Sequence, residues 1–423
     1  MAAIFKRAST VAKFQAVQSH IRLFCDAPKF PGAKTTWTQT LKISEAKPEE
    51  HLPVYRVLDK HGVVINSSHE PKLSNDVLRK MYKSMTMLNQ MDNILYESQR
   101  QGRISFYMTN YGEEAAQIGS IAALKDDDLV FGQYREAGVL VYRGMSLDLF
   151  MNQCYGNNLD VGKGKQMPVH YGNKDLHFVT ISSPLTTQLP QAAGAAYAFK
   201  RAKNGRVVIT YFGDGAASEG DFHAALNFAA TLECPVIFFC RNNGYAISTP
   251  TYEQYRGDGI ASRGPGYGIG TVRCDGNDLL AVYNTVELAR KYCVENNKPI
   301  IVEAMTYRVG HHSTSDDSTA YRPKEEIGMW SSTENPVGKF RKYLETRGLW
   351  SAEEEKSWAK DARKQILDAF NKAENVPKPD WREMFEGVYQ NLTPALKEQI
   401  KEMESHLKSY GSHYPLDKFR APK

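Results

Sequence analysis

Two short polar turns in the middle of the chain carry the residue types that bind a divalent cation and a phosphate. Gly213-Asp214-Gly215 follows the apolar run 207–212, and Arg241-Asn242-Asn243 follows the apolar run 235–240. Two apolar runs around a helix-length segment predict a strand–helix–strand unit with parallel strands. Because ligands bind beyond the carboxyl ends of parallel strands, Asp214 and Asn243 are expected to reach one crevice.

The spacing of the two turns points to a particular ligand. A carboxylate and an amide oxygen suit Mg²⁺, which completes its shell with phosphates and water. Gly213 and Gly215 would let the backbone approach a diphosphate closely, and a helix from about Ser218 would direct its amino end at that charge. Each turn alone is a common structural turn. Together, with 26 residues between Gly215 and Asn242, they match the thiamin-diphosphate-binding motif. The segment resembles the thiamin-dependent 2-oxoacid dehydrogenases.

Three further stretches place polar residues where a parallel sheet would present its site. Tyr134-Arg135 follows a predicted short strand, and an arginine there can bind a phosphate with two hydrogen bonds, although Tyr-Arg before a helix is usually structural. The hydroxyl-rich segment 181–188 could bind a cation or a phosphate, or simply cap the next helix. The segment 307–318 contains two histidines and two aspartates, but nothing completes a zinc site. A histidine that holds a phosphate or shuttles a proton is favoured there.

The elements around these stretches predict an α/β fold, a parallel sheet with helices on both faces and helical extensions at both ends. Apolar residues at helical spacing predict a long helix over 73–101, with a methionine stripe that is typical of a core contact. The other predicted helices are 111–124, 190–201, 277–296, 353–372 and 394–410, and further strands are predicted at 272–274 and 299–305. The Gly-rich run 263–270 is not in register for a dinucleotide fingerprint and is interpreted as a loop.

Four segments are predicted along the chain. Residues 1–25 contain no acidic residue and place basic and apolar residues at helical spacing, as in a mitochondrial transit peptide. The alternative is a basic amphipathic surface helix. Residues 26–72 are interpreted as an extended arm, 73–330 as the α/β domain that binds the diphosphate, and 331–423 as a helical region that offers a partner surface.

The composition excludes several function classes. The chain has 423 residues, of which 42% are hydrophobic, and a net charge of +5. It has no basic patch interleaved with aromatic residues, so nucleic acid is not an expected partner, and no apolar run approaches the length of a membrane span. Its six cysteines form no CxxC pair, which argues against a zinc site or a disulfide framework and fits a reducing compartment.

Longer blocks resemble the α subunits of the branched-chain 2-oxoacid dehydrogenase family. The blocks are 130–138, 166–171, 177–184, 213–250, 255–259, 310–322 and 414–417, so that the likeness runs from about residue 50 to the end. The segment Ala217-Ser218-Glu219-Gly220 and the doubled His311-His312 favour the branched-chain member over the pyruvate-specific relative.

The resemblance implies roles for individual residues. It implies Mg²⁺ bound by Asp214, Asn243 and the Tyr245 carbonyl. It implies thiamin diphosphate bound by Tyr134, Arg135, Ser183, Gly215, Ala216, Arg241 and His312. It implies a structural K⁺ bound by Ser182, Pro184, Thr187 and Gln188, and phosphorylation at Ser313. Mg²⁺, Arg135, Arg241 and a protonated His312 would offset the diphosphate charge, and His312 is the expected residue for proton handling or lipoyl transfer. It could instead be a phosphate anchor only.

The sequence departs from the family pattern at two positions. Asp214 stands where some branched-chain members have Glu, and both are hard oxygen ligands, so Mg²⁺ binding is expected to persist. Pro323 stands where some relatives carry a second phosphorylatable Ser, so that regulatory site is expected to be absent here.

The resemblance also implies partners. The chain has the diphosphate half of the site but no second domain of similar size, so a separate β subunit would supply the glutamate for the aminopyrimidine ring, in a heterotetramer of two α and two β chains. The activity implied is decarboxylation of branched-chain 2-oxoacids and reductive acylation of the lipoyl group of the acyltransferase core, in the mitochondrial matrix and under a regulatory kinase and phosphatase. Two rival hypotheses remain: the α subunit of a pyruvate or acetoin dehydrogenase, and a non-catalytic scaffold subunit.

Overall fold

Six parallel strands form the main sheet of the computed structural model, which describes residues 37–43 and 51–420. In spatial order they are β2 (Phe178–Val179), β1 (Leu129–Phe131), β3 (Val208–Gly213), β4 (Val236–Asn242), β8 (Ile300–Met305) and β7 (Gly270–Asp275). A short hairpin of β5 (Tyr245–Ala246) and β6 (Thr249–Pro250) follows β4. The prediction of a parallel α/β sheet is confirmed.

The strands at the centre of the sheet are buried on both faces. β3 pairs with β4 in parallel from Val208↔Val236 to Gly213↔Arg241, and every residue of β4 is buried. Alternate side chains of these strands enter two separate apolar clusters, one on each face, which is why the strands read as continuous apolar runs. The register brings the residues after β3 and β4 to the same edge.

Helices cover both faces of the sheet and extend beyond it. Those of eight or more residues are α1 (Asn75–Arg100), α2 (Glu114–Ala122), α4 (Leu147–Tyr155), α5 (Gln188–Ala202), α6 (Gly220–Thr231), α9 (Leu279–Asn296), α10 (Lys324–Ser332), α11 (Pro336–Thr346), α12 (Ala352–Glu374) and α13 (Pro394–Tyr410). Shorter helices are α3 (Ala137–Tyr142), α7 (Thr251–Gln254) and α8 (Gly264–Tyr267).

The long first helix forms for the reasons that its sequence predicts. Ser74 caps it by accepting a hydrogen bond from the Val77 amide at 3.4 Å. Met81, Met85 and Met91 on its inner face are fully buried. The methionine stripe is therefore a core contact, as predicted.

Several parts of the fold differ from the prediction. The Gly-rich run 263–270 is not a plain loop, because it contains α8, which begins at Gly264 with a proline in its first turn. The predicted arm is not wholly peripheral, since Val57 and Leu58 are buried beside α1 and α9. By contrast, the predicted helix 353–372 is present as α12, and its apolar face lies in the core.

The predicted transit peptide lies outside the described residues, and the predicted domain boundaries stay predictions. Among residues 37–43 and 51–420, no helix combines the length and apolarity that crossing a bilayer requires.

Candidate active site

The ends of β3 and β4 bring the two predicted metal ligands together. Asp214 is 1% exposed, and its Oδ1 accepts a hydrogen bond from the Asn243 amide at 3.3 Å. The Asn243 Nδ2 donates to Glu113 Oε1 at 3.0 Å, which orients the amide group of that side chain. The sequence places these residues 29 positions apart, and the parallel register makes them neighbours.

Asp214 has one buried oxygen that no described residue satisfies. Its Oδ2 has no hydrogen-bond partner among residues 37–43 and 51–420, and burial raises the pKa of the carboxyl to about 6. A buried carboxylate oxygen without a partner is costly unless a cation or a solvent molecule binds it. The described residues contain no cluster of three or more His, Cys, Asp and Glu side chains that could hold a metal ion. A site built from one carboxylate with amide and carbonyl oxygens fits a hard, phosphate-bound cation such as Mg²⁺.

The turn after β3 leaves no room for a side chain. A Cβ on Gly215 would lie 2.4 Å from the Cβ of Ala246 in the β5–β6 hairpin. Glycine is therefore required because the two backbones approach each other, whereas the φ of Gly215 is the ordinary −63°. Ala216 follows in a short 3₁₀ turn, and α6 begins at Gly220, two residues later than the sequence predicts.

Arg241 lies in a buried network of charges. Its guanidinium is 2% exposed and forms ion pairs with Glu113 and with Glu136, whose Oε1 is 2.6 Å from Nη2. Glu136 also accepts hydrogen bonds from the Gln133 and Tyr134 amides, at 2.7 and 2.9 Å. The charge of Arg241 is thus balanced by two carboxylates, so it is not a free cation for a diphosphate.

His312 lies between two arginines. Arg135 Nη2 is 3.5 Å and Arg308 Nη1 is 3.4 Å from His312 Nδ1. A guanidinium can only donate, so Nδ1 is the acceptor and the ring proton is on Nε2. Burial and the two arginines lower the pKa of His312 to about 3. The imidazole is neutral in this arrangement, which revises the expectation that a protonated His312 offsets phosphate charge; it would donate from Nε2 instead.

Tyr134 and Arg135 lie beside this histidine. The Tyr134 ring is edge-on to the His312 ring, with centroids 5.9 Å apart. Arg135 also donates to the His312 carbonyl at 3.0 Å and lies 3.6 Å from Glu113 Oε1. The structure therefore brings together Tyr134, Arg135 and His312, and the shared Glu113 links them to Arg241 and Asn243.

The hydroxyl-rich segment 181–188 contacts His170 and strand β3. Ser182, Ser183 and Pro184 are exposed. The Ser183 Oγ lies 2.6 Å from His170 Nε2, and the other nitrogen of that ring is 3.1 Å from the Pro168 carbonyl. Thr187 Oγ1 donates to the Pro184 carbonyl at 3.1 Å, and Gln188 Nε2 donates to the Tyr211 carbonyl at 2.9 Å.

Ser313 follows His312 in a loop that is well connected to its surroundings. Its side chain is 8% exposed, and its Oγ accepts a hydrogen bond from the Ser315 amide at 3.2 Å. The Asp316 carboxylate accepts from the His312 amide at 2.7 Å and from the Tyr321 hydroxyl at 2.6 Å. The Ser313 hydroxyl is therefore largely shielded from solvent in this arrangement.

Comparison with known proteins assigns the family. The sequence profile of the dehydrogenase E1 component family matches residues 82–382, which contain every site residue described above. The chain belongs to this family. It is 61% identical to "2-oxoisovalerate dehydrogenase subunit alpha, mitochondrial" of Pan troglodytes, over 93% of this chain and 88% of that protein. The proteins of the same name from Bos taurus and Dictyostelium discoideum are 60% and 52% identical, over 95% and 96% of this chain and 88% and 91% of theirs. These matches confirm the resemblance drawn from the motifs.

Three charged residues of this E1 component chain were not assigned by sequence reasoning. Glu113 and Glu136 balance Arg241, and Arg308 flanks His312. Burial lowers the pKa of Arg308, and its Nε is buried without a hydrogen-bond partner. Two signals are available in the sequence: Glu136 directly follows Tyr134-Arg135, and Glu113 lies in the predicted helix 111–124. Nothing in the sequence indicates that they meet.

The backbone around the candidate site is strained. Val169, Thr186 and Ile247 adopt the left-handed conformation, with φ of 67°, 63° and 54°. This conformation is unfavourable for β-branched residues, because the Cβ substituents collide with the backbone. Each of them adjoins a site segment: Val169 precedes His170, Thr186 precedes Thr187, and Ile247 lies at the tip of the hairpin that begins at Tyr245. Strain of this kind persists where the surrounding structure imposes it, and it is typical of functional sites.

Proposed function

We propose that this chain is the α subunit of a mitochondrial, thiamin-diphosphate-dependent branched-chain 2-oxoacid dehydrogenase. It would decarboxylate branched-chain 2-oxoacids and transfer the acyl group to a lipoyl group with reduction of its disulfide. The observation that carries this proposal is the partnerless buried oxygen of Asp214, beside Asn243 at the carboxyl edge of the sheet. The name shared by relatives that are 52–61% identical supports the substrate class and the mitochondrial location.

The metal and the diphosphate would be bound by the residues at the ends of β3 and β4. Asp214 Oδ2, the Asn243 side-chain oxygen and the Tyr245 carbonyl would bind Mg²⁺. Gly215 and Ala216 would approach the diphosphate through their backbone, and Tyr134, Arg135, Ser183, Arg241 and His312 would complete the site. Arg135 is the stronger candidate for direct phosphate contact, because it is 3.6 Å from Glu113, whereas Arg241 is paired with both Glu113 and Glu136.

A K⁺ ion would stabilise the segment before α5. The candidate ligands are Ser182, Pro184, Thr187 and Gln188. Ser182 and Pro184 are exposed, and the segment contains the strained Thr186. A cation bound by its carbonyl and hydroxyl oxygens would offset that strain and fix the Ser183 hydroxyl beside the diphosphate.

His312 would hold or move the proton that the reaction requires. Bound thiamin diphosphate supplies the electron sink that a 2-oxoacid needs in order to lose carbon dioxide. The neutral His312 ring would present its Nε2–H, while Arg135 and Arg308 fix its Nδ1. It would therefore act as a hydrogen-bond donor toward a phosphate or toward the transferring acyl group.

The site on this chain is half of a complete one. Two cavities adjoin it: one of about 1180 Å³ is lined by Asn242, Tyr245 and Thr306, and one of about 650 Å³ is lined by His170 and Thr180. Neither cavity is lined by Asp214, Arg135 or His312. A β subunit would cover this edge and supply the glutamate for the aminopyrimidine ring, in a heterotetramer of two α and two β chains that docks to the lipoyl-bearing acyltransferase core.

Phosphorylation of Ser313 by a regulatory kinase, reversed by a phosphatase, would switch the enzyme off. A phosphate adds about −2 at neutral pH next to the bound diphosphate. It would also displace the Ser315 amide from Ser313 Oγ and loosen the loop that holds His312. Ser313→Glu is expected to lower kcat at least about tenfold, and full activity in that variant would contradict this regulation.

The experiment that tests the function is a substrate comparison. The chain is co-expressed with its β chain and supplied with thiamin diphosphate and Mg²⁺, and decarboxylation of 4-methyl-2-oxopentanoate and of pyruvate is measured. A strong preference for the branched acid that is lost in Asp214→Ala is the expected result. A preference for pyruvate would support the proposed cofactor but would overturn the proposed substrate class. No turnover, with no stabilisation by thiamin diphosphate and Mg²⁺, would favour the scaffold hypothesis.

A further inference from the structure

Asp92, in the middle of α1, is a buried carboxylate whose hydrogen bonds converge on one segment. It is 0% exposed and forms no ion pair with a described Lys or Arg within 4 Å. Its oxygens accept hydrogen bonds from the Tyr107 hydroxyl at 2.9 Å, from the Asn110 amide, and from the Asn110 Nδ2 at 2.9 and 3.2 Å. Burying an unpaired carboxylate is costly, so this group needs all these donors.

The segment that Asp92 holds, Tyr107–Asn110, is in direct contact with the candidate active site. The Thr109 carbonyl accepts a hydrogen bond from Arg135. The Tyr107 amide donates to Thr314 Oγ1 at 3.2 Å, and the Thr314 amide donates to the Tyr107 carbonyl at 3.0 Å. The segment therefore fixes Arg135, a candidate phosphate ligand, on one side. On the other side it fixes Thr314, which lies two positions after His312.

The same segment continues into a second contact with the histidine loop. The Val309 amide donates to the Tyr111 carbonyl at 3.0 Å, and a Cβ on Gly310 would lie 2.6 Å from Thr109 Oγ1. The two stretches run so close together that the loop has little freedom to move while 107–111 stays in place. Asn110 is itself fixed from α2, because its Oδ1 accepts from Gln117 Nε2 at 3.0 Å.

We propose that Asp92 is a positioning residue of the active site, which holds Arg135 and the loop 309–314 in place through the segment Tyr107–Asn110. Within the described part of the chain its hydrogen bonds reach only Tyr107 and Asn110, so it acts through them. The part that concerns cofactor binding rests on the proposed function; the part that concerns the order of the loop does not.

The test compares two buried aspartates in the co-expressed complex. Asp92→Asn replaces one acceptor oxygen by a donor and leaves a Tyr107 or Asn110 donor unsatisfied. Asp128→Asn is the matched control, because Asp128 is also 0% exposed but accepts from Val207, Lys125 and Arg290 at the opposite edge of the sheet. The readouts are the Kd of thiamin diphosphate with Mg²⁺ and the hydrogen exchange of the amides in 309–318.

The expected result is specific to Asp92. Asp92→Asn should raise the cofactor Kd about 10- to 100-fold, as loss of supporting hydrogen bonds does at other sites, and should accelerate exchange in 309–318. Asp128→Asn should lower the melting temperature but leave both readouts unchanged. Equal effects of the two variants, or unchanged exchange in Asp92→Asn, would overturn the proposal.

A second variant keeps the test valid if Asp92→Asn does not fold. Thr314→Val removes the hydroxyl that links the loop to the Tyr107 amide and leaves the Asp92 hydrogen bonds intact. It should accelerate exchange in 309–318 and raise the cofactor Kd; no change in either would overturn the proposal. Failure of the wild-type complex to bind thiamin diphosphate would overturn the proposed function instead, and the exchange data would still test the role of Asp92.

Discussion

At the amino edge of the sheet Asp128 lies just before β1, and at the carboxyl edge Asp214 lies just after β3; both side chains are buried. Asp128 is fully satisfied, because Oδ1 accepts from Val207 at 3.0 Å and Oδ2 from Lys125 at 2.9 Å, and Arg290 pairs with both oxygens. Asp214 has one oxygen with no partner. The Asp128 carboxylate stabilises the fold. The Asp214 carboxylate, by contrast, has an oxygen for which the described residues supply no partner.

The backbone shows the same contrast. At the amino edge, the left-handed residues Lys203 and Asn297 are the unbranched C-caps of α5 and α9, where this conformation is common. Around the carboxyl edge the left-handed residues include Thr186 and Ile247, which are β-branched. The carboxyl edge therefore combines strained β-branched residues with the unsatisfied oxygen of Asp214, as is expected of a ligand site.

The largest effect is expected at the unsatisfied aspartate. Asp214→Asn should lower kcat about 10³-fold, since a metal ion contributes several kcal/mol to such reactions. The same change should alter the unfolding free energy of the cofactor-free protein by less than about 1 kcal/mol, because it removes a buried charge that is not fully paired. Steady-state kinetics and urea unfolding measure the two quantities. If Asp214→Asn lost much stability but kept its activity, the carboxyl edge would not differ from the amino edge in the way described.

The satisfied aspartate should behave in the opposite way. Asp128→Asn leaves Arg290 without a full carboxylate partner and should destabilise the protein by about 3 kcal/mol, as breaking a buried ion pair does. The activity per folded molecule should stay within about twofold of wild type. Denaturant unfolding, with activity normalised to the folded fraction, provides the check; a selective loss of kcat would mean that the amino edge also serves the site.

A smaller effect concerns the charge at His312. Burial, Arg135 and Arg308 lower the pKa of this residue to about 3 in the folded protein, from an ordinary value near 6.5. Between these two pH values the unfolded chain binds a proton that the folded chain does not, so stability falls as the pH falls through this window, by at most about 1.4 kcal/mol per pH unit. His312→Gln should flatten this slope. An NMR titration of the His312 ring near pH 6.5 would contradict the prediction.

The smallest effect tests the strain. Ile247→Asn replaces a β-branched residue at φ 54° by one that tolerates this conformation, and it should stabilise the cofactor-free protein by about 1 kcal/mol. Lys203→Asn, at φ 51°, should stabilise the cofactor-free protein less, because lysine is not β-branched. Thermal unfolding of both variants measures the difference. Equal shifts would show that strain is not concentrated at the site.

The sequence predicted the parts of the fold that depend on local patterns. The apolar runs at 207–212 and 235–240 identify β3 and β4, and helical spacing identifies α1 and α9. The turns that follow the strands identify Asp214 and Asn243 as neighbours, because parallel strands have only one carboxyl edge. The helix α8 was missed, since its Gly-Pro-Gly-Tyr sequence has low helix propensity and its first residue packs closely on Thr271 in β7.

The charge balance of the site could not be predicted in this way. Glu113, Glu136 and Arg241 are 23 to 128 positions apart, and each alone is an ordinary charged residue. Whether Arg241 is free for a phosphate depends on which carboxylates fold against it, and the pKa of His312 depends on the two arginines beside it. These electrostatic effects join residues that are distant in the sequence but adjacent in the folded protein. Only the tertiary structure gives their separations and burial, and the interaction energy falls steeply with distance and with exposure to solvent.

The sequence by itself determined the family, and it predicted the candidate cation ligands and the turn for the diphosphate, because these depend on residue types at short spacing. The tertiary structure decided which charges are already paired, which oxygen of Asp214 is left without a partner, and that Asp92 on α1 supports a loop more than 200 residues away. The physical reason is that hydrogen-bond satisfaction and burial are properties of the packed chain, whereas a motif is a property of its local segments.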